Sequence, residues 1–340
     1  MSNSQLLDSL LSGHDLEERQ AYELMQQFAA GDLDPAFSGA LLAGLRAKGE
    51  TADEIRGFAR AMRELAVHPA IPDGAPTVDT VGTGGDGSGS LNLSTGAGLL
   101  AAACGSRVVK HGNRSVSSKS GSADMLECLG MPLPLLETAA VDCLQATGFT
   151  FLFAPAYHPA MKAVVPVRAA LGVRTVFNIL GPLTNPASTP YQLIGAFSRD
   201  MAKLMAEALA GLPIERAFVV HGEPGWDEAT PAGEFWLYDV SPGSVVETKR
   251  KPEEYGLARC APEDLAGGDA EHNARELVRV FNGEDHGAHR DALLMGTSLV
   301  LEVQGVAKTA QEGVAQAAAA IDDGRAETFL GKLRTHFNSR

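Results

Sequence analysis

The stretch "TVDTVGTGGDGSGSLNLSTGAGLLAAACG", residues 77–105, begins with the pattern of a strand and ends with that of a helix. Its first residues are apolar and β-branched, a glycine-rich turn follows, and the alanine- and leucine-rich residues 91–105 predict a helix. "RVVKHG" then predicts a second strand, and "SADMLECLG" a second helix. Because strand and helix keep alternating, the sequence predicts an α/β domain with a mostly parallel central sheet flanked by helices.

Residues 1–66 carry the signals of successive helices and none of a strand. Asp15 is predicted to cap one helix, and Pro35 fits the first turn of another. Thr51, with Glu54 three residues later, has the pattern of a capping box. This part of the chain is therefore predicted to be a small all-helical unit.

The division into domains follows from this change of pattern. Three later segments, "FTFLFAP", "RAFVVHG" and "EFWLYDV", predict further strands, and the tail from residue 306 predicts helices. We expect a helical domain over residues 1–70, joined by helices from about 158–190, and a larger α/β domain over 76–340.

The composition limits the partners and the location of the protein. Its 340 residues carry a net charge of −14, which argues against a broad basic face for nucleic acid or a membrane surface. The N-terminus lacks the pattern of a signal peptide, and no apolar run reaches the roughly 18 residues of a membrane span. The four cysteines form no CxxC pair and lie in apolar runs. We expect a soluble cytoplasmic protein with buried free thiols.

The glycine-rich turn has two interpretations as a ligand site. Gly82, Gly84 and Gly87 match the GxGxxG pattern of a dinucleotide site, which also needs an acidic residue about 20 positions later. No aspartate or glutamate occurs between Gly87 and Asp124, and hydroxyl and amide side chains follow the turn instead. Backbone N–H groups at a helix start bind phosphate, so we favour a phosphate or pyrophosphate loop. A tight turn without a ligand is the alternative.

The segment "KHGNRSVSSKSGS", residues 110–122, has one aliphatic side chain among basic and hydroxyl side chains. Lys110, Arg114 and Lys119 favour an anionic ligand, although a solvated basic loop would have the same composition. Arg107, just before them, is counted in the same cluster. Lys110 ends the strand after the glycine-rich turn, so both loops are expected at one carboxyl edge of the sheet. Two such loops predict a ligand with two separated phosphate groups.

Together these motifs resemble the anthranilate phosphoribosyltransferases. The likeness includes "GTGGD" at residues 82–86, "KHGNR" at 110–114, "FAPAYHPAMKAVVPVRAALGVRTVFNILGPLTNPA" at 153–187 and "HGEPGWDE" at 221–228. It covers most of the chain in order. The resemblance implies transfer of the phosphoribosyl group of 5-phosphoribosyl 1-pyrophosphate (PRPP) to the amine of anthranilate in tryptophan biosynthesis. It also implies a homodimer that uses Mg²⁺ and a PRPP-binding role for the α/β domain.

The resemblance further implies which residues bind the donor. The pyrophosphate end would be held by the glycine-rich turn and the helix start after it: Gly82, Gly85, Asp86, Ser90, Asn92, Leu93, Ser94 and Thr95. The basic segment would bind the ribose phosphate and close over the pyrophosphate: Lys110, Gly112, Asn113, Arg114, Ser115, Val116, Ser117, Ser118 and Ser122. Because this segment has few apolar side chains, we expect it to be mobile without its ligand.

Asp227 and Glu228, in the segment "GWDEATP", are the candidate metal ligands. In a turn, two neighbouring carboxylates can both reach hydrated Mg²⁺, which prefers oxygen ligands and substrate phosphates. From the residues alone, a solvated acidic pair is the alternative. The resemblance assigns Ser94, Asp227 and Glu228 to magnesium.

The acceptor carboxylate calls for an arginine, which can bind it through two parallel hydrogen bonds. By resemblance, Arg168 in "VVPVRAALG" binds anthranilate, with further contacts from Asn113 and Gly82. His111 and His158 are expected to line the approach to this position; for His158, a packed or capping histidine is the alternative. The amine of anthranilate is already unprotonated, so we predict no general base, no covalent intermediate and no residue with a catalytic role.

Three other functions stay open at this point. The segments "MGTSLV", residues 295–300, and "GWDEATPAGEFW", residues 225–236, depart from the simplest family pattern. A paralogue that acts on a different aromatic amine is therefore the first alternative. A pyrimidine nucleoside phosphorylase relative would share the fold but differs in the lysine- and serine-rich loop. A non-catalytic nucleic-acid-binding relative should have a basic surface and lack the Asp-Glu pair.

Overall fold

The computed structural model describes residues 3–115 and 119–338. Val116, Ser117 and Ser118, which belong to the predicted donor site, lie outside the described residues. The architecture is a small N-terminal helical domain followed by a larger α/β domain, so the predicted fold class is confirmed. Within the described ranges, no helix is both long and apolar enough to cross a membrane.

From residue 3 onward, the helical domain contains four helices whose ends follow local signals. They are α1 (Asn3–Leu11), α2 (Glu18–Ala30), α3 (Pro35–Lys48) and α4 (Ala52–Glu64). Pro35 occupies the first turn of α3, and Thr51 forms the predicted capping box with Glu54. These helix starts are confirmed.

The prediction that Asp15 caps α2 is wrong. Glu17 precedes the helix directly and shares a capping box with Gln20. Asp15 lies two residues further back and pairs instead with Lys48, at 2.7 Å. A capping residue must lie immediately before the first turn of its helix. Asp15 is too far from the start of α2 to cap it and forms a tertiary ion pair instead.

Among the residues that the structure describes, the α/β domain combines seven strands with helices on both faces of one sheet. The strands are β1 (Thr77–Gly82), β2 (Arg107–Gly112), β3 (Phe149–Phe153), β4 (Tyr191–Gly195), β5 (Arg216–Gly222), β6 (Phe235–Ser241) and β7 (Ser244–Arg250). The helices of this part of the chain are α5 (Leu93–Ala103), α6 (Ser122–Cys128), α7 (Glu137–Thr147), α8 (Ala154–Tyr157), α9 (Val165–Leu171), α10 (Phe177–Leu183), α11 (Arg199–Leu209), α12 (Ala270–Phe281), α13 (Ala288–Val303), α14 (Ala310–Asp322) and α15 (Arg325–Asn338). Short 3₁₀ helices cover Pro159–Ala163, Pro252–Tyr255 and Pro262–Leu265.

The strand order of the sheet is β3-β2-β1-β4-β5-β6-β7. The first five strands in this order are parallel, and β6 and β7 are added as antiparallel strands at the end. The sheet is thus mostly parallel, as predicted. Two of its strands, β4 and β7, are absent from the sequence prediction.

Two hydrophobic cores cover the two faces of the sheet. In β5, Phe218 and Val220 point into one core, and Ala217 and Val219 into the other, as the alternation of side chains in a strand requires. The first core contains residues of α5–α7 and α12–α15, while the second joins α1–α4 to α9, α10 and α11. The helical domain therefore continues onto one face of the sheet.

The four cysteines are only partly buried. Cys143 is buried and Cys104 and Cys260 are intermediate, but Cys128 is exposed at the end of α6. The prediction of four buried thiols is therefore wrong for Cys128. Its apolar neighbours in the sequence lie on the other side of a short helix, so they do not cover it.

Candidate active site

The site lies where the order of the parallel strands changes direction. From β1 the chain moves outward to β2 and β3, and it then returns to add β4 and β5 on the other side of β1. In such sheets, the loops on either side of this point diverge and leave a crevice for a ligand. β1 ends at Gly82 and β4 at Gly195, which are paired in register, so the crevice opens beside the glycine-rich turn.

Both predicted phosphate loops leave this carboxyl edge. β1 and β2 are parallel, and Gly82 and Gly112 are their last residues. Arg107 begins β2 at the opposite edge, where its guanidinium donates to the backbone carbonyls of Pro72 and Ala75. The interpretation of Arg107 as part of the anion-binding cluster is therefore wrong. Arg107 is close to Lys110 in sequence, but it is the first residue of an extended strand and so lies at the edge of the sheet away from the crevice.

The acidic segment after β5 packs against the glycine-rich turn. Gly84 N–H donates to Asp227 Oδ2 at 2.6 Å, and Asp227 N–H donates to Asp86 Oδ2 at 3.3 Å. This approach depends on two glycines. A Cβ on Gly195 would lie 1.6 Å from the backbone oxygen of Asp227, and one on Gly82 would lie 2.5 Å from its Oδ2.

The substitution Gly195→Ala is expected to lower stability by about 2–3 kcal/mol, because the new methyl group must push the backbone of Asp227 away. Thermal unfolding measures this loss, and activity should fall with it. Gly331→Ala is the matched control, since a Cβ there meets no atom within 4 Å and alanine favours the helix. A Gly195→Ala protein as stable as the control would contradict the packing described here.

Glu228 and Lys110 meet at the start of α5. Ser94 N–H donates to Glu228 Oε1 at 3.0 Å, and Lys110 Nζ lies 3.4 Å from Ser94 Oγ. Lys110 Nζ also donates to the backbone carbonyl of Thr80. Only 1% of Lys110 is exposed, so its charge is held among these groups rather than in solvent. The three predicted magnesium ligands and this lysine are thus brought together from three parts of the chain that are distant in sequence: α5, β2 and the segment after β5.

The buried charges of this cluster are poorly compensated. Burial raises the pKa of Asp227 to about 7 and that of Glu228 to about 8, and neighbouring carboxylates add to both shifts. Burial also raises the pKa of Asp79, to about 6, despite the nearby Lys110. Burial lowers the pKa of Lys110 itself, against the attraction of these carboxylates. One lysine therefore faces three carboxyl groups that are costly to ionise without a further cation.

A hydrogen-bond network joins the two loops. Asn92 Nδ2 donates to the backbone oxygen of Ser120 at 3.1 Å, and the Ser120 hydroxyl donates to Asn92 Oδ1 at 3.0 Å. Thr95 Oγ1 lies 3.0 Å from Ser122 Oγ, and Asn273 from α12 donates to Asn92 Oδ1 at 2.9 Å. The predicted donor residues Asn92, Thr95 and Ser122 therefore all take part in hydrogen bonds that link the two loops.

Arg114 is bound within the protein rather than directed at the crevice. Its guanidinium donates to Asp124 at 2.9 Å and to Glu127 at 2.5 Å, both on α6. Asp124 also accepts the backbone N–H groups of Ser115 and Gly121, at 3.2 and 2.9 Å. These bonds fasten the basic segment to α6, a role that its composition did not indicate.

The remaining donor residues lie along the turn between β1 and α5. Ser90 Oγ is 3.2 Å from Ser88 Oγ, which in turn lies 3.0 Å from Asp86 Oδ1. Leu93 is buried as the first residue of α5, and Asn113 is exposed just beyond β2. The turn is thus ordered by its own hydroxyl and carboxyl groups.

Arg168 and the two histidines lie on the side of the helical domain. Arg168, on α9, stacks over the ring of Phe177 at 5.3 Å, and burial lowers its pKa. No carboxylate pairs with it among residues 3–115 and 119–338. His111 and His158 are buried with ring centroids 5.1 Å apart, and burial lowers their pKa values to about 3 and about 4. Both imidazoles are therefore neutral at physiological pH.

Comparison with known proteins finds relatives over nearly the whole chain. Residues 74–327 match the model of the glycosyl transferase family, a/b domain, and residues 4–66 match its helical bundle domain. An anthranilate phosphoribosyltransferase from Rubrobacter xylanophilus is 45% identical over 95% of this chain and 94% of its own length. The chain belongs to the anthranilate phosphoribosyltransferase family.

Solved structures of this anthranilate phosphoribosyltransferase family have the same fold. The enzyme from Thermus thermophilus superposes with a TM-score of 0.91 at 43% identity, covering 98% of this chain and 99% of that one. The Saccharomyces cerevisiae enzyme in complex with PRPP and Mg has a TM-score of 0.83 at 27% identity, covering 100% and 94%. The predicted family and enzyme class are confirmed. The protein is a transferase whose function is that of an anthranilate phosphoribosyltransferase in tryptophan biosynthesis.

Two residues beside the candidate site are absent from the sequence prediction. Arg174 donates to the backbone carbonyl of Gly85 and stacks over Phe197 at 4.1 Å, while Arg46 of α3 donates to the backbone oxygen of Arg174 at 2.6 Å. Asn185 donates to Asp79 Oδ2 at 2.8 Å and so holds a carboxyl group beside Lys110. Both lie in "GVRTVFNILGPLTN", which the resemblance marks as a unit without showing what each side chain contacts.

Proposed function

We propose that the chain transfers the phosphoribosyl group of PRPP to the amine of anthranilate, giving N-(5-phosphoribosyl)anthranilate and pyrophosphate. The observation that carries this proposal is the meeting of the glycine-rich turn, Lys110 and the Asp227–Glu228 pair in one crevice. The crevice offers backbone N–H donors, a buried cation and buried carboxyl groups. This combination suits a diphosphate that is bound together with a divalent metal ion.

The diphosphate of the donor would lie on the turn after β1 and on the start of α5. Gly84 and Ser94 have backbone N–H groups there, which in this structure donate to Asp227 and Glu228, and the partial positive charge of the α5 N-terminus adds to them. Lys110 supplies a positive charge from within β2, two residues before the end of the strand. Asn92, Thr95 and Ser122 would complete the polar wall of the site, since they already join the two loops.

Ser94, Asp227 and Glu228 would hold Mg²⁺ in this site. A hydroxyl and two carboxyl groups offer only oxygen ligands, as Mg²⁺ prefers, and the poorly compensated buried carboxyl groups would gain from a cation. When bound, the metal neutralises charge on the departing pyrophosphate. The residues of this chain orient the diphosphate and exclude water around it.

The acceptor would bind between the crevice and the helical domain. Arg168 lacks a carboxylate partner within the described ranges, so its guanidinium is available for the carboxylate of anthranilate. His111 and His158 are neutral, with Nδ1 of His111 facing the carbonyl of Gly181 and Nε2 of His158 facing that of Thr184. We propose that these groups position the amine and that no side chain forms a covalent bond with the sugar.

The substitution Arg168→Ala is expected to raise the KM for anthranilate about tenfold or more, with a small change in kcat. A charge-assisted pair of hydrogen bonds contributes about 1.5–3 kcal/mol to binding, and the reacting atoms lie elsewhere. Steady-state kinetics at saturating PRPP measure the effect. Arg19→Ala, which removes an exposed arginine of α2, is the control. An unchanged KM in the Arg168 variant would contradict its assignment.

We also propose that two copies of the chain pair through the helical domain. Leu11 of α1 is 68% exposed and Val165 of α9 is 55% exposed, and apolar side chains of this size favour burial against a partner. Size-exclusion chromatography with light scattering should give the mass of two chains. Leu11→Asp should shift the protein toward one chain, and a wild-type monomer would contradict the proposal.

The proposed reaction is tested by mixing the protein with PRPP, Mg²⁺ and anthranilate and following anthranilate fluorescence. The fluorescence is expected to fall, with one pyrophosphate released for each anthranilate consumed. Omission of PRPP or of Mg²⁺ should abolish both signals. Pyrophosphate release with a different aromatic amine, and none with anthranilate, would instead identify a paralogue with another acceptor.

A further inference from the structure

We propose that Asp227 and Glu228 also reject the metal-free form of the donor, because each occupies a backbone N–H group that a diphosphate would use. This inference rests on the proposed function and extends it. The two residues would then determine specificity between free and metal-bound diphosphate, in addition to serving as metal ligands.

The first occupied donor belongs to the glycine-rich turn. Gly84 has a left-handed backbone with φ of 67°, and its N–H donates to Asp227 Oδ2 at 2.6 Å. Turns of this kind direct N–H groups at an anion. The group that this turn holds here is a carboxyl side chain of the protein itself. Asp227 is only 7% exposed and is fixed from behind by the bond between its own N–H and Asp86.

The second occupied donor belongs to the N-terminus of α5. Ser94 N–H is one of the first N–H groups of this helix, which lack a partner within the helix. It donates to Glu228 Oε1 at 3.0 Å. Asp227 and Glu228 are consecutive, so one short segment after β5 covers a donor of the glycine-rich turn and a donor of the α5 N-terminus.

Carboxylate and phosphate oxygens compete for the same hydrogen atoms. A metal-free diphosphate must displace both carboxyl groups and leave them, Asp227 buried and Glu228 half-buried, beside its own negative charge, with Lys110 as the nearby lysine. When Mg²⁺ accompanies the diphosphate, the carboxylates have another partner and the two N–H groups can serve the phosphate oxygens. The same two side chains thus oppose one form of the ligand and assist the other.

Calorimetric titration of the full-length chain with inorganic pyrophosphate, in EDTA and in Mg²⁺, tests the proposal. The wild-type protein should bind pyrophosphate in Mg²⁺ and at least about tenfold more weakly in EDTA. In EDTA, Glu228→Ala and Asp227→Ala should bind pyrophosphate at least about tenfold more tightly than the wild type does. Metal-free binding by both variants that is as weak as in the wild type would overturn the proposal.

Two further variants separate occupancy of the donors from simple charge. Glu228→Gln keeps an acceptor oxygen beside Ser94 N–H, so its affinity for metal-free pyrophosphate should rise less than that of Glu228→Ala. Equal increases in affinity would assign the effect to charge alone and overturn the proposal. Glu223→Ala removes an exposed carboxylate that pairs with Lys249, and its affinity for metal-free pyrophosphate should equal that of the wild type. Thermal unfolding of each variant shows that it is folded. A wild-type protein that binds no pyrophosphate even in Mg²⁺ would contradict the proposed function itself, and this result is distinct from the outcomes that would overturn the present inference.

Discussion

The double substitution Asp227→Asn and Glu228→Gln is expected to lower kcat by at least about a thousandfold. Both side chains keep their shape but lose the charge that would hold Mg²⁺. A metal ion that stabilises charge in the transition state lowers the activation free energy by several kcal/mol, and about 1.4 kcal/mol corresponds to a factor of ten in rate. Steady-state assays over a wide range of Mg²⁺ concentrations measure the loss. The remaining activity should no longer respond to Mg²⁺.

The stability of the same variant distinguishes this explanation from unfolding. Burial already raises the pKa of both carboxyl groups, so their neutral forms are favoured in the folded protein. A folded-state pKa above the unfolded value means that stability is lost as pH rises toward the folded pKa. Without metal, the variant with neutral amides should therefore be as stable as the wild type at low pH and more stable than the wild type above about pH 8. Wild-type kcat in this variant, with Glu223→Gln as control, would contradict the proposed metal site.

Lys110→Met is expected to lower kcat/KM for PRPP by at least about a hundredfold. The substitution keeps most of the volume of a side chain that is 1% exposed, but it removes the lysine charge that faces Asp79, Asp227 and Glu228. A hydrogen-bonded charge in a buried site contributes about 3 kcal/mol or more when its partner is left behind. Initial rates at saturating anthranilate and varied PRPP measure this effect.

The matched control for this prediction is Lys119→Met in the same basic segment. Lys119 is exposed, so its charge is largely screened by solvent and should matter far less. Should both lysine variants lose activity equally, the segment would act through its total charge. The specific role of Lys110 would then be wrong.

Local patterns were sufficient for the main elements of the fold. The strands β1, β2, β3, β5 and β6 carry runs of apolar or β-branched residues, and Thr51 with Glu54 fixes a helix start through neighbouring atoms. β7 was missed because "SVVETKR" is mostly exposed at the sheet edge and reads as a polar loop. β4 was missed because it has five residues, of which Gln192 is polar and yet buried.

The candidate site shows a similar division between local and tertiary information. Its residue types, and the expectation that two loops meet at one sheet edge, follow from the sequence. The contact between Gly84 and Asp227 joins residues 143 positions apart and depends on the register of β4 and β5. The same reason accounts for Arg107, which is close to Lys110 in sequence but lies at the other end of β2. Such contacts require the complete sheet.

A crystal structure of the full chain with PRPP and Mn²⁺, using the anomalous signal of the metal, tests the central claim most directly. We predict a metal peak between the diphosphate oxygens and the carboxyl groups of Asp227 and Glu228. The diphosphate should accept hydrogen bonds from the N–H groups of Gly84 and Ser94, with Lys110 Nζ beside it. A diphosphate bound away from the turn after β1, or a metal without contact to the acidic pair, would contradict the account.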